Sequence, residues 1–255
     1  VQALLLGAHD YIEKPFRPGE LGEVVSRAGN GGDEGQLLDR AVEAMEFSLQ
    51  VRQASLDSVG ALVRAVEAKD PYTRRHSEQV AHYAVHLARA MGMSAADVES
   101  IRVASLLHDI GKIGVPDHIL TKAGPLTDEE FQQISRHPAL GADILANITL
   151  FASEAKLIRH HHERWDGKGY PNGLVGEETP LASRIIQVAD CIDAMLMERT
   201  YKAGYSVDAM LGELIRCAGT QFDPKIAAVA LAWCQSHREA LFLSGKNLVP
   251  ESISA

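Results

Sequence analysis

Asp190 lies where a buried aliphatic side chain would be expected. In the segment LASRIIQVADCIDAMLM, residues 181 to 197, the positions Ile186, Asp190, Asp193 and Met197 recur three or four apart, the spacing of one helix face. A carboxylate on such a face is costly unless it is paired or holds a cation. The same anomaly occurs twice more. His76 shares a stripe with Val80, Tyr83 and Leu87, and His108 shares one with Val98, Ile101 and Ser105. A structural ion pair would account for two such residues. With Asp109, His137, His161 and His162 added, the candidate ligands number seven, and a metal centre becomes the economical reading.

The stretch HHHERWDGKGYP, residues 160 to 171, bears on the same question. Adjacent positions on a helix point about 100° apart, so three consecutive histidines cannot all face one core. At least one faces solvent or a site. The acids Glu163 and Asp166 follow directly, and imidazole with carboxylate is a donor set that borderline metals accept. The glycines of DGKGYP suit turns and close backbone approach.

The rest of the sequence is helical in character. Hydrophobic residues make up 46% of the 255 positions but aromatics only 5%, and Ala and Leu recur at helical spacing. A formal charge of −9 argues against a nucleic-acid polymer as partner, while a local pocket for a small anion stays compatible with it. Cys191, Cys217 and Cys234 are widely spaced in apolar segments, so neither a disulfide framework nor a CxxC pair is expected and the compartment reads as reducing. No apolar run approaches the ~18 residues of a membrane span. A cytoplasmic protein with no membrane partner is the expectation.

Four regions are expected along the chain. Residues 1–29 contain GAHDYIEKPF, which resembles the last strand of a bacterial response-regulator receiver domain, with Lys14 at its phosphate-sensing lysine; the strands that would carry the phospho-accepting aspartate are absent. The polar break GNGGDEG leads into a linker helix over 30–54, whose apolar residues Leu38, Ala41, Val42, Met45 and Leu49 suit a dimerising coil. The catalytic domain is expected over 55–236 and a tail over 237–255. Within the domain, Ser94 and Thr127 are read as helix N-caps, the latter with Glu130 in a capping box. Gly and Pro116 close HDIGKIGVP. The fold class is all-α in the main, a helical bundle behind a short α/β remnant.

Asp109, beside His108, is placed to bridge two ions, and two ions so bridged would lower the pKa of a shared water and present hydroxide to phosphorus. Lys112, one turn on, can reach a phosphate oxygen or a leaving group. Arg199 and Lys202 in ERTYK are three apart and suit the phosphates of a dinucleotide.

Together, His76, HDIGK at 108–112, His137, HHERWDGKGYP at 161–171 read from its second histidine, and VADCIDAM from 188 resemble the HD-GYP family of HD phosphohydrolases, over residues 55–236. The resemblance implies an HD-type helical fold and a metal-dependent phosphodiesterase that opens cyclic di-GMP to linear pGpG and onward to GMP, as output domain of a two-component response regulator. It implies His76, His108, Asp109 and Asp190 on one ion and Asp109, His137, His161 and His162 on the other, the ions being iron or manganese. His160 is then the odd one of the triplet. It further implies a substrate lip shaped by Asp166, Gly167, Gly169, Tyr170 and Pro171, and signalling-protein partners. Some members hold a third ion through a glutamate four residues before the first histidine; Tyr72 stands there in this chain, so two ions are expected. Two alternatives stand beside this reading: an HD phosphohydrolase of another cyclic dinucleotide or nucleotide, and a non-catalytic signalling module.

Overall fold

A computed structural model describes residues 32–68, 76–197, 204–239 and 241. The receiver-like segment, Tyr72, the Arg199 and Lys202 pair and most of the tail lie outside the described residues. Ten α-helices are described: α1 (Gly32–Glu67), α2 (His76–Ala90), α3 (Ala95–Leu107), α4 (Asp117–Leu120), α5 (Asp128–Ile134), α6 (His137–Ala146), α7 (Ala152–Arg159), α8 (Leu181–Leu196), α9 (Val207–Cys217) and α10 (Pro224–Ser236). Extended structure among these residues is limited to isolated bridges, Asp166 with Val175 and Ala218 with Phe222. No helix among the described residues is long and apolar enough to cross a membrane.

The chain divides into two compact units, 1–58 and 59–255. In the first, α1 leaves Phe47, Leu49 and Val51 exposed. In the second, α2 packs against α3, α8 and α10, and α7 against α3 and α6. The apolar stripes expected from spacing form its core: Val80, Tyr83 and Leu87 of α2, Ile101 and Leu107 of α3, and Ile185, Ile186 and Ile192 of α8 are buried. Each such side chain contributes roughly 1.5–3 kcal/mol by leaving water.

Local chemistry sets the ends of the helices. Ser94 accepts from the Asp97 amide and Thr127 forms the capping box with Glu130, as expected at both positions. Asp223 caps α10, with Pro224 in its first turn. One boundary differs from the sequence reading. The α-helix carrying His108 ends at Leu107, and 110–114 form a tighter 3-10 turn. Gly111 explains how this turn lies against α6: a Cβ there would stand 2.0 Å from the His137 carbonyl oxygen and 2.5 Å from the Gly141 nitrogen. Only a residue without a side chain lets the two backbones meet. That contact carries Asp109 to the first residue of α6.

Candidate metal centre

The ends of several helices meet around Asp109. His108 follows the last residue of α3, and its Nδ1 donates to the Ser105 carbonyl at 2.7 Å. His137, three residues past Ile134 at the end of α5, does the same to the Ile134 carbonyl at 2.7 Å. His161, just past α7, donates to the Ile158 carbonyl at 2.6 Å. The last carbonyls of a helix have no partner within it, and a carbonyl can only accept. Each imidazole therefore carries hydrogen on Nδ1, which leaves Nε2 as the atom that can offer a lone pair to a cation. The same helix ends carry partial negative charge, which favours a cation.

His76, the first residue of α2, is held by a carboxylate instead: its Nδ1 lies 2.6 Å from Asp193 Oδ2, and its Nε2 lies 3.2 Å from Asp190 Oδ1. The two oxygens of Asp109 face different groups. Oδ1 is 3.3 Å from His137 Nε2, while Oδ2 is 3.4 Å from His108 Nε2 and 2.6 Å from Lys112 Nζ. Donor atoms of His76, His108 and Asp190 lie within 4.8 Å of one another, as do those of His137, His161 and His162, and those of His108, Asp109 and His161. All seven expected ligands are thus brought to one place. His160 belongs to none of these groups; its buried Nδ1 has no hydrogen-bond partner among the described residues and faces Glu163 Oε1 at 3.6 Å.

The electrostatics differ across the centre. Burial opposes ionisation of Asp109, but the field of His108 and of the Lys112 ammonium outweighs it and holds the carboxyl well below its ordinary range. Burial would also lower His76, yet its bonds to Asp190 and Asp193 win and raise it to about 10. His137 and His162 are depressed by burial to about 3 and about 4, and burial pushes His161 down as well. These last three are neutral, the form that binds metals.

The turn after the histidines wraps His162. Tyr170 donates its backbone N–H to the His162 carbonyl at 3.2 Å, and its ring lies 4.9 Å from the His162 ring. A Cβ at Gly169 would fall 2.6 Å from that carbonyl oxygen, so this glycine is required by close approach. Gly167 takes a positive φ of 74°, and Tyr170–Pro171 is a cis peptide. Asp166 turns its carboxylate into the fork of Arg164, at 3.0 and 2.8 Å, and accepts from the Lys168 amide. The Arg164 guanidinium holds this carboxyl down at about 2. Asp166 therefore shapes the turn through Arg164.

Two residues of the site stood outside the seven expected ligands. Asp193 was visible on the stripe of Asp190, one turn on, but only the fold reveals its partner His76. Glu163, buried beneath the turn, accepts from the Asn172 and Leu174 amides at 2.7 and 3.1 Å; its acidity beside histidines suggested a metal, and its work is to anchor backbone.

Comparison with known proteins gives the family. Residues 61–226 match the family described as HD domain. The chain is 37% identical over 230 residues to the cyclic di-GMP phosphodiesterase response regulator RpfG of Xanthomonas campestris pv. campestris (strain 8004), covering 88% of this chain and 61% of that protein. It is 38% identical over 197 residues to a cyclic di-GMP phosphodiesterase of Thermotoga maritima, covering 76% of this chain and 53% of the relative. It is 42% identical over 170 residues to 3'3'-cGAMP-specific phosphodiesterase 3 of Vibrio cholerae, with coverages of 67% and 37%. The chain thus spans about three-fifths or less of the length of these relatives. Among solved structures, a cyclic GMP-AMP specific phosphodiesterase of V. cholerae shares the fold at a TM-score of 0.57 and 20% identity, covering 76% of this chain and 54% of that one. The chain belongs to the HD domain family.

Proposed function

We propose that this chain is a metal-dependent phosphodiesterase that opens cyclic di-GMP to linear pGpG and carries it on to GMP. The observation that supports it most is Asp109, whose two oxygens face two separate groups of imidazole donors. The donor set fits divalent borderline ions: histidines whose Nε2 can offer a lone pair, beside ionised carboxylates. His76, His108 and Asp190 would hold one ion, His137, His161 and His162 the other, and Asp109 would serve both. Iron or manganese is the expected metal. Such ions supply an acidified water and polarised phosphoryl oxygens.

The chain's own residues do the remainder. Asp109 fixes the spacing of the two groups, and the helix-end carbonyls keep the imidazoles aimed. Lys112, 2.6 Å from Asp109 Oδ2, would set an ammonium beside the reacting diester. As the bond from phosphorus to the attacking oxygen forms and that to the ribose 3′ oxygen breaks, it is placed to protonate the departing oxygen. Gly169, Tyr170 and Pro171 line the lip, Asp166 holding the turn, and Arg199 and Lys202 would receive the second phosphate.

By the same relationship the chain is an output domain of a two-component response regulator over 55–236, joined through a linker helix at 30–54 to the receiver-like 1–29 and followed by a tail at 237–255. The exposed Phe47, Leu49 and Val51 suit a homodimer along that helix, and the free thiols of Cys191, Cys217 and Cys234 suit the cytoplasm. Signalling proteins are further partners in this reading. The relatives named as 3'3'-cGAMP-specific favour a second reading, hydrolysis of that mixed dinucleotide. Chromatography of products from manganese- or iron-loaded protein given each cyclic dinucleotide decides between them. The expected result is pGpG and then GMP from cyclic di-GMP, with two ions per chain by elemental analysis. Turnover of neither substrate would refute both readings.

A further inference from the structure

Phe131 has no place in the core. No residue of α5 is buried, and Phe131 is 50% exposed on a helix whose neighbours Asp128, Glu129, Glu130, Gln132 and Gln133 are polar. Its ring stands edge-on to Tyr170, with centroids 5.8 Å apart and planes at 88°. Tyr170 in turn lies 4.9 Å from His162. A row of three rings therefore runs from the inner histidines outward to solvent. The helix that presents Phe131 is short but held at its start by the Thr127 and Glu130 capping box and by Lys122, whose Nζ lies 2.5 Å from Glu130 Oε2.

We infer that Phe131, standing on Tyr170, is a stacking shelf for one base of the cyclic dinucleotide, a binding contact that positions the scissile diester over Asp109. The inference rests on the phosphodiesterase reading above. An aromatic face left open to water beside a phosphate-binding centre meets the one part of a nucleotide that the metals and Lys112 cannot hold, its base. Stacking on an aromatic side chain tolerates any base, because each has a π face. The shelf therefore supplies affinity for purine dinucleotides and leaves the choice of guanine or adenine to other contacts.

The test compares Phe131→Ala, Phe131→Leu and Phe131→Trp with wild type in the manganese-loaded protein. Alanine should raise KM for cyclic di-GMP roughly tenfold, and Trp should keep it near the wild-type value. Leu, which keeps apolar bulk over Tyr170 but has no π face, should behave as Ala does. A phosphorothioate cyclic dinucleotide carrying 2-aminopurine gives a second readout. Its emission should be quenched on binding to wild type and the Trp variant, and not to Ala or Leu. Rescue by Leu as fully as by Trp, or an unchanged KM and quench in Phe131→Ala alongside an active wild type, would overturn the shelf alone. A wild type that turns over no cyclic dinucleotide, yet cleaves bis(p-nitrophenyl) phosphate, would overturn the cyclic-dinucleotide reading and the shelf with it.

Discussion

The two candidate ligand groups flanking Asp109 differ at one imidazole: His76 is aimed by a carboxylate, whereas His108 in its own group, like His137 and His161 in the other, is aimed by a backbone carbonyl. His137 and His161 are held through Nδ1 by backbone carbonyls, at 2.7 and 2.6 Å, and burial drives them to the neutral form. His76 is held through Nδ1 by the Asp193 carboxylate at 2.6 Å, and with Asp190 on its other nitrogen it is pushed toward the charged form. A carbonyl fixes a tautomer without adding charge; a carboxylate fixes it and raises the basicity of the ring. The group of His76, His108 and Asp190 therefore offers a cation more negative charge but must first give up a proton. The group of His137, His161 and His162 is ready for an ion as it stands.

Removing Asp109 should have the largest effect, since it is the residue common to both halves. Asp109→Ala is expected to lose both ions and all hydrolysis, read by elemental analysis and product chromatography. An ion retained in either half would show that the halves bind independently. Asp193→Asn separates the halves: it keeps the acceptor for His76 but removes its charge. Affinity for one ion should fall roughly 10–100-fold, while titration of the other is unchanged. An equal loss at both would mean that Asp193 acts on the whole fold.

The contrast also predicts how the chelated protein responds to pH. His137 and His162, at about 3 and about 4 against an ordinary 6.5, take up protons more readily when the chain unfolds. Their effect is to lower stability as pH falls from 6.5 toward those values. His76, at about 10, acts in the other direction: its contribution is complete below 6.5 and is lost as pH rises toward 10. Thermal melts with chelator should peak near pH 6.5. A monotonic profile would show that one half dominates. The smallest effect belongs to His160→Ala, which should bind ions as wild type does, while His161→Ala should not; equal loss in both would place His160 among the ligands.

The helical class was legible because the stripes of α2, α3 and α8 follow a period that packing respects. The candidate ligands were legible for a related reason. His76, His108 and Asp190 stand on those stripes, where polar residues are anomalous. What the stripes could not convey was which atom partners which. The Asp193 bond crosses 117 positions, and Glu163 uses backbone amides, which leave no trace in residue identity. The stop at Leu107 was also hidden, because the 3-10 turn after it depends on the contact of Gly111 with α6.

His108, His137 and His161 are each tied to a carbonyl three residues behind them, in the last turn of the preceding helix. Helix ends are where fraying begins, with opening free energies far below that of global unfolding. An imidazole fastened there leaves its post whenever that turn unwinds, even if the core stays intact. Amide exchange in the last turns of α3, α5 and α7 is therefore a direct clock of how often the centre comes apart, and a bound ion would slow it.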